Sequence, residues 1–205
     1  MEAGDFDTAR KLAQANIAAF AEEDVEAIVV SCSAGRQALK RDYEDLLGLQ
    51  EFEVPVYDIA ELLTSVLPAH EDFSPLPMKT IYLNSRGLKE GEGWHRMILA
   101  EIPELEVVAL EGSEGGCGDS LFFSAVHPEL FRKMMDKRLE AVAETDATVV
   151  ITHSPICMWQ LEGALQDRGR PVKVMHTAEV LAATYEAGRA PATEAQHGGA
   201  QRKKS

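Results

Sequence analysis

No stretch of the 205-residue chain approaches the roughly 18 consecutive apolar residues that a bilayer-crossing helix needs. The N-terminus, Met1-Glu2-Ala3-Gly4-Asp5, is acidic where a secretory signal would be basic and then apolar, so the chain is expected to be cytoplasmic. Basic side chains are scarce: 20 Lys and Arg against 34 Asp and Glu give a formal charge of −14. Phosphate recognition needs clustered Lys and Arg, and the one basic cluster is Arg202-Lys203-Lys204 in the tail. Nucleic acid and anionic membrane are therefore not the expected partners. Cysteine is sparse as well: three residues, at 32, 117 and 157, odd in number and far apart, form no disulfide framework and point to reduced thiols or metal ligands. No Ser-His-Asp set, Walker loop or Gly-x-Gly-x-x-Gly fingerprint is present.

What is present is a globular composition, 45% hydrophobic, enough for a real core, and a motif that occurs twice. Val149 to Leu161 runs from a β-branched apolar segment through His153-Ser154-Pro155-Ile156-Cys157 into a helix start. Ala27 to Leu39 repeats it, with Cys32 matching Ser154, Gly35 matching Cys157 and Leu39 matching Leu161. Arg10-Lys11 matches Arg132-Lys133 at the same spacing, and Glu61-Leu62-Leu63 matches Glu179-Val180-Leu181 after a short gap. The chain reads as one complete repeat preceded by the rear half of another.

Apolar periodicity predicts helices over Asp7–Ala21 (capped by Asp7 or Thr8), Ala34–Leu47 (stopped by Gly48), Ile59–Val66 (with Asp58 near its start), Trp94–Ile102, Pro128–Ala143, Cys157–Leu165 and Ala178–Tyr185. Short apolar runs predict strands at Ala27–Val30, Pro55–Tyr57, Lys79–Leu83, Glu106–Leu110, Val149–Ile151 and Val172–Met175. Alternation of this kind implies an α/β fold with parallel sheets flanked by helices. Three prolines between Pro68 and Met78 mark a linker. The expected organisation is residues 1–67 as a truncated first lobe, 68–78 as linker, 79–187 as a complete second lobe, and 188–205 as a tail without periodicity.

A thiol between a buried strand and a helix N-terminus feels the helix dipole, which favours the thiolate. Cys32 and Cys157 both occupy such junctions, although a buried cysteine also serves as a small hydrophobe. Cys117 lies among Gly112, Gly115, Gly116 and Gly118, a loop suited either to crowding backbone amides around an anion or to a plain surface turn. Convergence of Cys32, Cys117 and Cys157 with His153 or His176 would make a Cys3His metal site. Glu61 and Glu179 read as helix-surface or capping groups rather than general bases.

Ser154-Pro155-Ile156-Cys157 resembles the Cys-Pro-x-Cys element, and Gly116-Cys117-Gly118 the Cys-Cys-Gly element, of the cysteine-rich (CCG) domain family. That family includes a heterodisulfide reductase component and the iron-sulfur subunits of glycolate oxidase, anaerobic glycerol-3-phosphate dehydrogenase and lactate utilisation complexes. The resemblance extends over nearly everything from Gly4 to Tyr185. It implies two related lobes, an iron-sulfur cofactor of the 4Fe-4S type contacted by Cys32, Cys117 and Cys157, and partner subunits in a redox complex. The sequence departs from the family pattern at three places: Arg86 stands near the first ligand position, Gly116 replaces one cysteine of the pair, and Ser154 replaces the first cysteine of Cys-x-x-Cys. Electron transfer within an oxidoreductase complex follows from the resemblance. The departures leave open a non-catalytic assembly subunit, and the strand-to-helix thiols leave open a thiol-based redox protein.

Overall fold

The computed structural model describes residues 3–50, 52–66, 73–84, 92–108, 110 and 121–189. Cys117, Arg86 and residues 68–72 of the proline-rich stretch fall outside the described residues. So does the tail from 190 onward.

The first helix, α1 (Phe6–Ala21), starts one residue earlier than periodicity alone suggests. The reason is its cap: the Asp5 carboxylate accepts from the Thr8 amide at 3.0 Å, a bond to an otherwise unpaired first-turn donor. Strand β1 (Ile28–Val30) leads into α2 (Ser33–Gln37), a widened π turn over Ala38–Asp42, and α3 (Tyr43–Asp45). Gly48 then ends the run with φ +64°, a left-handed conformation that glycine adopts without a Cβ clash. α1 packs on this run through Ala13, Ile17, Tyr43 and Leu47, reinforced by Asn16 Nδ2 donating to Tyr43 Oη at 2.8 Å.

Strand β2 (Val56–Asp58) pairs parallel with β1, Val30 lying opposite Asp58. It feeds α4 (Ile59–Glu61) and a second π turn over Leu62–Val66. Strand β3 (Met78–Tyr82) begins the larger sheet, followed by α5 (Glu92–Ala100), β4 (Leu105–Val108), α6 (Leu121–Val126), α7 (Pro128–Ala143), β5 (Val149–Thr152), α8 (Pro155–Asp167), β6 (Lys173–His176) and α9 (Thr177–Arg189). Four parallel strands lie in the order β4-β3-β5-β6, beside a two-stranded sheet β1-β2. The α/β architecture with parallel sheets and flanking helices is thus the one its apolar runs imply. Helix α6 has no periodic signature, being only six residues long.

The period-2 alternation of the strands divides the larger sheet's two faces. Ile81, Leu83, Val150 and Val174 point to α7 and α8, where they meet Met135, Leu139, Val142, Cys157, Leu161 and Leu165. Tyr82, Val149, Ile151 and Met175 point to the opposite face, with Ile98, Leu99, Val180, Leu181 and Ala60. Because helices cover both faces, β5 is buried at every position and reads as an unbroken apolar run. β1 does not share this property. Val29 is 44% exposed and Ile28 is buried, so β1 is not buried at every position as β5 is. The expectation of a strand buried on both faces therefore fails at β1.

The proline-rich stretch is packed where it is described. Phe73 is buried and meets Tyr185 edge-on at 5.4 Å between ring centroids, and the Leu76 amide donates to Pro103 O at 2.9 Å. No helix among the described residues is long and apolar enough to cross a membrane.

Candidate functional site

Parallel strands deliver their side chains to the crevice at their carboxyl ends, where α/β proteins generally bind and react. Asp58 ends β2, Tyr82 ends β3, His153 follows β5 and His176 ends β6. Helix α5 contributes His95. Asp58, Tyr82, His95 and His153 are all at most 2% exposed.

These side chains form one array. Tyr82 Oη lies 2.6 Å from His153 Nδ1. In the Nε2–H tautomer of His153, Nδ1 accepts a hydrogen bond from the Tyr82 hydroxyl; in the other tautomer the roles reverse. His153 stacks on His95, with centroids 4.4 Å apart and planes 18° from parallel. Beyond the stack, His95 Nε2 lies 3.0 Å from Asp58 Oδ1. Arg96 places its guanidinium 5.2 Å over the Tyr82 ring, a cation-π contact from the solvent side.

Electrostatics follow from burial. The His153 imidazole is pushed down to about 3, chiefly because desolvation penalises the cation, with repulsion from His95 and His176 adding and the Asp58 charge opposing. At Asp58 burial works to raise the carboxyl, but contact with His95, attraction to His95, the Ala60 amide and His153 outweigh it and hold the group below its usual range. Neutral His153 beside an ionised Asp58 is thus the resting arrangement at neutral pH.

A second buried group flanks the array. Arg36 Nε lies 3.0 Å from Glu61 Oε2, and its guanidinium lies 5.0 Å over the Trp94 ring. Lys40 Nζ approaches the other Glu61 oxygen at 3.9 Å. Glu61 also accepts from the Asp58 amide at 3.3 Å while Asp58 accepts from Ala60, a reciprocal capping box. Both glutamates singled out from sequence are caps, because Glu179 likewise accepts from the His176 amide at 2.7 Å.

The two strand-turn-helix junctions share one hydrogen-bond plan. Cys32 Sγ accepts from the Gly35 amide at 3.1 Å, and Ser154 Oγ accepts from the Cys157 amide at 3.3 Å. Asp58 Oδ1 accepts from the Ala60 amide at 2.8 Å, as His176 Nδ1 does from the Ala178 amide at 3.0 Å. Cys32 and Ser154 therefore do the same local work, which is to cap the following helix. A Cβ on Gly35 would sit 3.0 Å from Cys32 Sγ, a tight contact that a larger residue would relieve only by a small shift of the thiol.

The cysteines divide accordingly. Cys32 is a half-buried free thiol at the N-terminus of α2. Cys157 is fully buried among Leu161, Val150 and Met135 and is disulfide-bonded, whereas composition points to reduced thiols or metal ligands. Cys117 lies outside the described residues. Among the described residues, no three His, Cys, Asp or Glu side chains are arranged to hold a metal ion. His153 and His176, named from sequence as completing ligands, are engaged with Tyr82 and with the Ala178 amide. Sequence reasoning does not find the array of Asp58, Tyr82, His95 and His153 as a unit. Its members are scattered along the chain with no motif spacing, and only their placement at strand ends relates them.

Comparison with known proteins then supplies a context. The family model described as "Cysteine-rich domain" (CCG) matches residues 1–40 and 90–162, more than half of the chain. Lactate utilization protein A of Halalkalibacterium halodurans is 28% identical over 183 residues, covering 84% of this chain and 74% of that protein. The probable glycolate oxidase iron-sulfur subunit of Bacillus subtilis is 26% identical, covering 87% of this chain and 43% of that protein. An uncharacterized iron-sulfur protein of Methanocaldococcus jannaschii is 29% identical over 80% of this chain and 32% of its own length. Among solved structures, glutamate racemase isoform RacE1 from Bacillus anthracis covers 90% of this chain and 65% of its own at 14% identity and TM-score 0.44, a likeness that carries no functional weight.

Proposed function

The chain belongs to the cysteine-rich (CCG) domain family, and from that premise we propose that it is an electron-transfer component of an oxidoreductase assembly oxidising a small hydroxy acid. The observation that carries this reading is the similarity, over more than four fifths of the chain, to a lactate utilization protein and to a glycolate oxidase iron-sulfur subunit. Under this reading the partners are other subunits of the assembly, and Cys32, Cys117 and Cys157 are the positions that touch the cofactor.

The residues themselves fit an iron-sulfur cluster poorly. A cluster is generally held by about four thiolates, and the whole chain has three cysteines. Cys157 is already bonded to sulfur and would have to be reduced first. Cys32 Sγ accepts from the Gly35 amide, a contact compatible with ligation. Ser154, in the corresponding cap, is a poor substitute for a thiolate. A complete ligand set on this reading therefore takes a donor from another subunit, and no electron-transfer step is derived through a cluster in this chain alone.

That mismatch favours a second reading, a non-catalytic assembly subunit that kept the family fold and its docking surfaces. Anaerobic purification of the full chain, alone and with its neighbouring subunits, separates the two. On the first reading the reduced assembly contains iron and acid-labile sulfide at stoichiometric levels, and these fall when Cys32, Cys117 and Cys157 are replaced by serine. A wild-type assembly that contains neither iron nor sulfide, and that forms equally well with the triple replacement, overturns the first reading and supports the second.

A further inference from the structure

The two sheets follow one plan over part of their width. Cys32 caps the helix after β1 as Ser154 caps the helix after β5, and Asp58 caps the helix after β2 as His176 does after β6. The registers agree as well, with Val30 opposite Asp58 and Thr152 opposite His176. β1 therefore corresponds to β5, and β2 to β6. Their other edges differ. β5 is flanked by β3, which pairs Ile81 with Val150 and Tyr82 with Ile151, whereas among the described residues β1 has no neighbour but β2.

We propose that the open edge of β1 is a docking surface for a strand–helix–strand segment of a partner polypeptide, laid parallel to β1 as β3, α5 and β4 are laid beside β5. On β5, Ile151 is fully buried, in one cluster with Ile98 and Leu99 of α5, the helix between β3 and β4. Its counterpart Val29 is 44% exposed. Val150, which faces α7 and α8 instead, has the buried Ile28 as its counterpart. The exposed apolar position is thus the one that the segment's helix would cover, and removing it from water favours docking.

Backbone and charge set direction and register. β5 is joined to the β3 side by the Thr148 amide donating to Lys79 O at 3.1 Å and by the Leu83 amide donating to Ile151 O at 2.8 Å. The corresponding groups at β1 are the Glu26 amide and the Val29 carbonyl, which an added strand would pair. Lys79, near the start of β3, also bonds Asp146 at 2.6 Å. Asp24 holds the place of Asp146 ahead of β1 and is exposed. Glu22, Glu23 and Glu26 lie beside it, with no Lys or Arg from residue 12 to residue 35. The partner's first strand therefore opens with a basic residue. A second copy is the poorer occupant: twofold symmetry pairs β1 antiparallel with itself, and Arg36, the first cation after β1, is buried against Glu61. The inference needs no cofactor, so it stands or falls apart from the electron-transfer reading.

The probe is residues 76–108 of this chain, which span the strands and helix that fill the matching place at β5, fused to maltose-binding protein and co-expressed with the full 205-residue chain. Amide hydrogen exchange of segment 26–30 reports docking, and titration of the purified components reports affinity. Docking should slow exchange of that segment at least about tenfold. Val29→Lys should abolish this protection while leaving the urea midpoint of the free chain nearly unchanged. Asp24→Lys should weaken binding about fivefold, and Lys79→Asp in the probe should restore it. If Val29→Lys misfolds, the charge swap decides. No protection of 26–30, protection at β4 or β6 only, or a charge swap that restores nothing overturns the proposal. So does concentration-dependent protection of 26–30 in the chain alone, which would make a second copy the occupant.

Discussion

Lowering the pH from 7 to 4.5 should destabilise the whole protein, and the size of the loss follows from His153. In the unfolded chain its ring titrates near 6.5, whereas in the folded protein burial holds it at about 3. Below 6.5 the unfolded state therefore binds a proton that the folded state refuses. The stabilisation is present in full above 6.5 and is lost as the pH falls, at about 1.4 kcal/mol per pH unit once the unfolded ring is protonated. By pH 4.5 the loss from this one ring amounts to about 2.5 kcal/mol. Asp58, whose carboxyl is held below its usual range, acts with the same sign at lower pH: its contribution is present above the ordinary carboxylate value and lost as the folded group is protonated. Urea unfolding at constant ionic strength from pH 7 to 4.5 gives the loss directly from the midpoints and slopes. His153→Asn should remove most of the dependence between pH 6.5 and 4.5. A wild-type stability that is flat over that interval refutes the placement of a neutral, buried imidazole at residue 153.

Other perturbations test separate parts of the structure. Arg36→Ala strips the counterion from Glu61 in a site where the two side chains are 6% and 11% exposed, and should cost about 3 kcal/mol in urea unfolding. Cys32→Ser should leave stability nearly unchanged because serine caps the equivalent turn at Ser154, whereas Cys32→Ala should lose about 1 kcal/mol. Leu161, fully buried between α8 and the sheet, should cost about 3 kcal/mol as Leu161→Ala. Tyr82→Phe removes the hydroxyl opposite His153 Nδ1 and should cost about 1 kcal/mol, visible as a shift of the His153 ring signals in NMR.

The strands and helices are legible because their signals are periodic. β5 reads as an apolar run since both of its faces are covered, and α7 occupies the Pro128–Ala143 span that its spacing suggests. β1 misleads because Ile28-Val29-Val30 is just as apolar, yet among the described residues its sheet has two strands and Val29 is exposed. The cap of α1 is hard to place because Asp5 and Asp7 are both acceptable residues, and only the Thr8 amide geometry chooses between them. The thiols at Cys32 and Cys157 draw attention by their placement, and each junction proves to be a helix cap. The His95–His153 stack is invisible in sequence because contact between α5 and the end of β5 depends on how α5 docks on the sheet. Likewise, Asp58 is legible as a helix start, but not as the partner of His95.

The electron-transfer reading is tested most directly in the anaerobically prepared assembly containing this chain and its partner subunits. Glycolate or L-lactate is added while the visible absorption of any iron-sulfur chromophore is followed. The expected result is bleaching on substrate addition that reverses with an electron acceptor and is lost when Cys32, Cys117 and Cys157 are replaced. Bleaching that survives the triple replacement, or an assembly that oxidises the hydroxy acid at full rate without this chain, would contradict a role for it in carrying electrons.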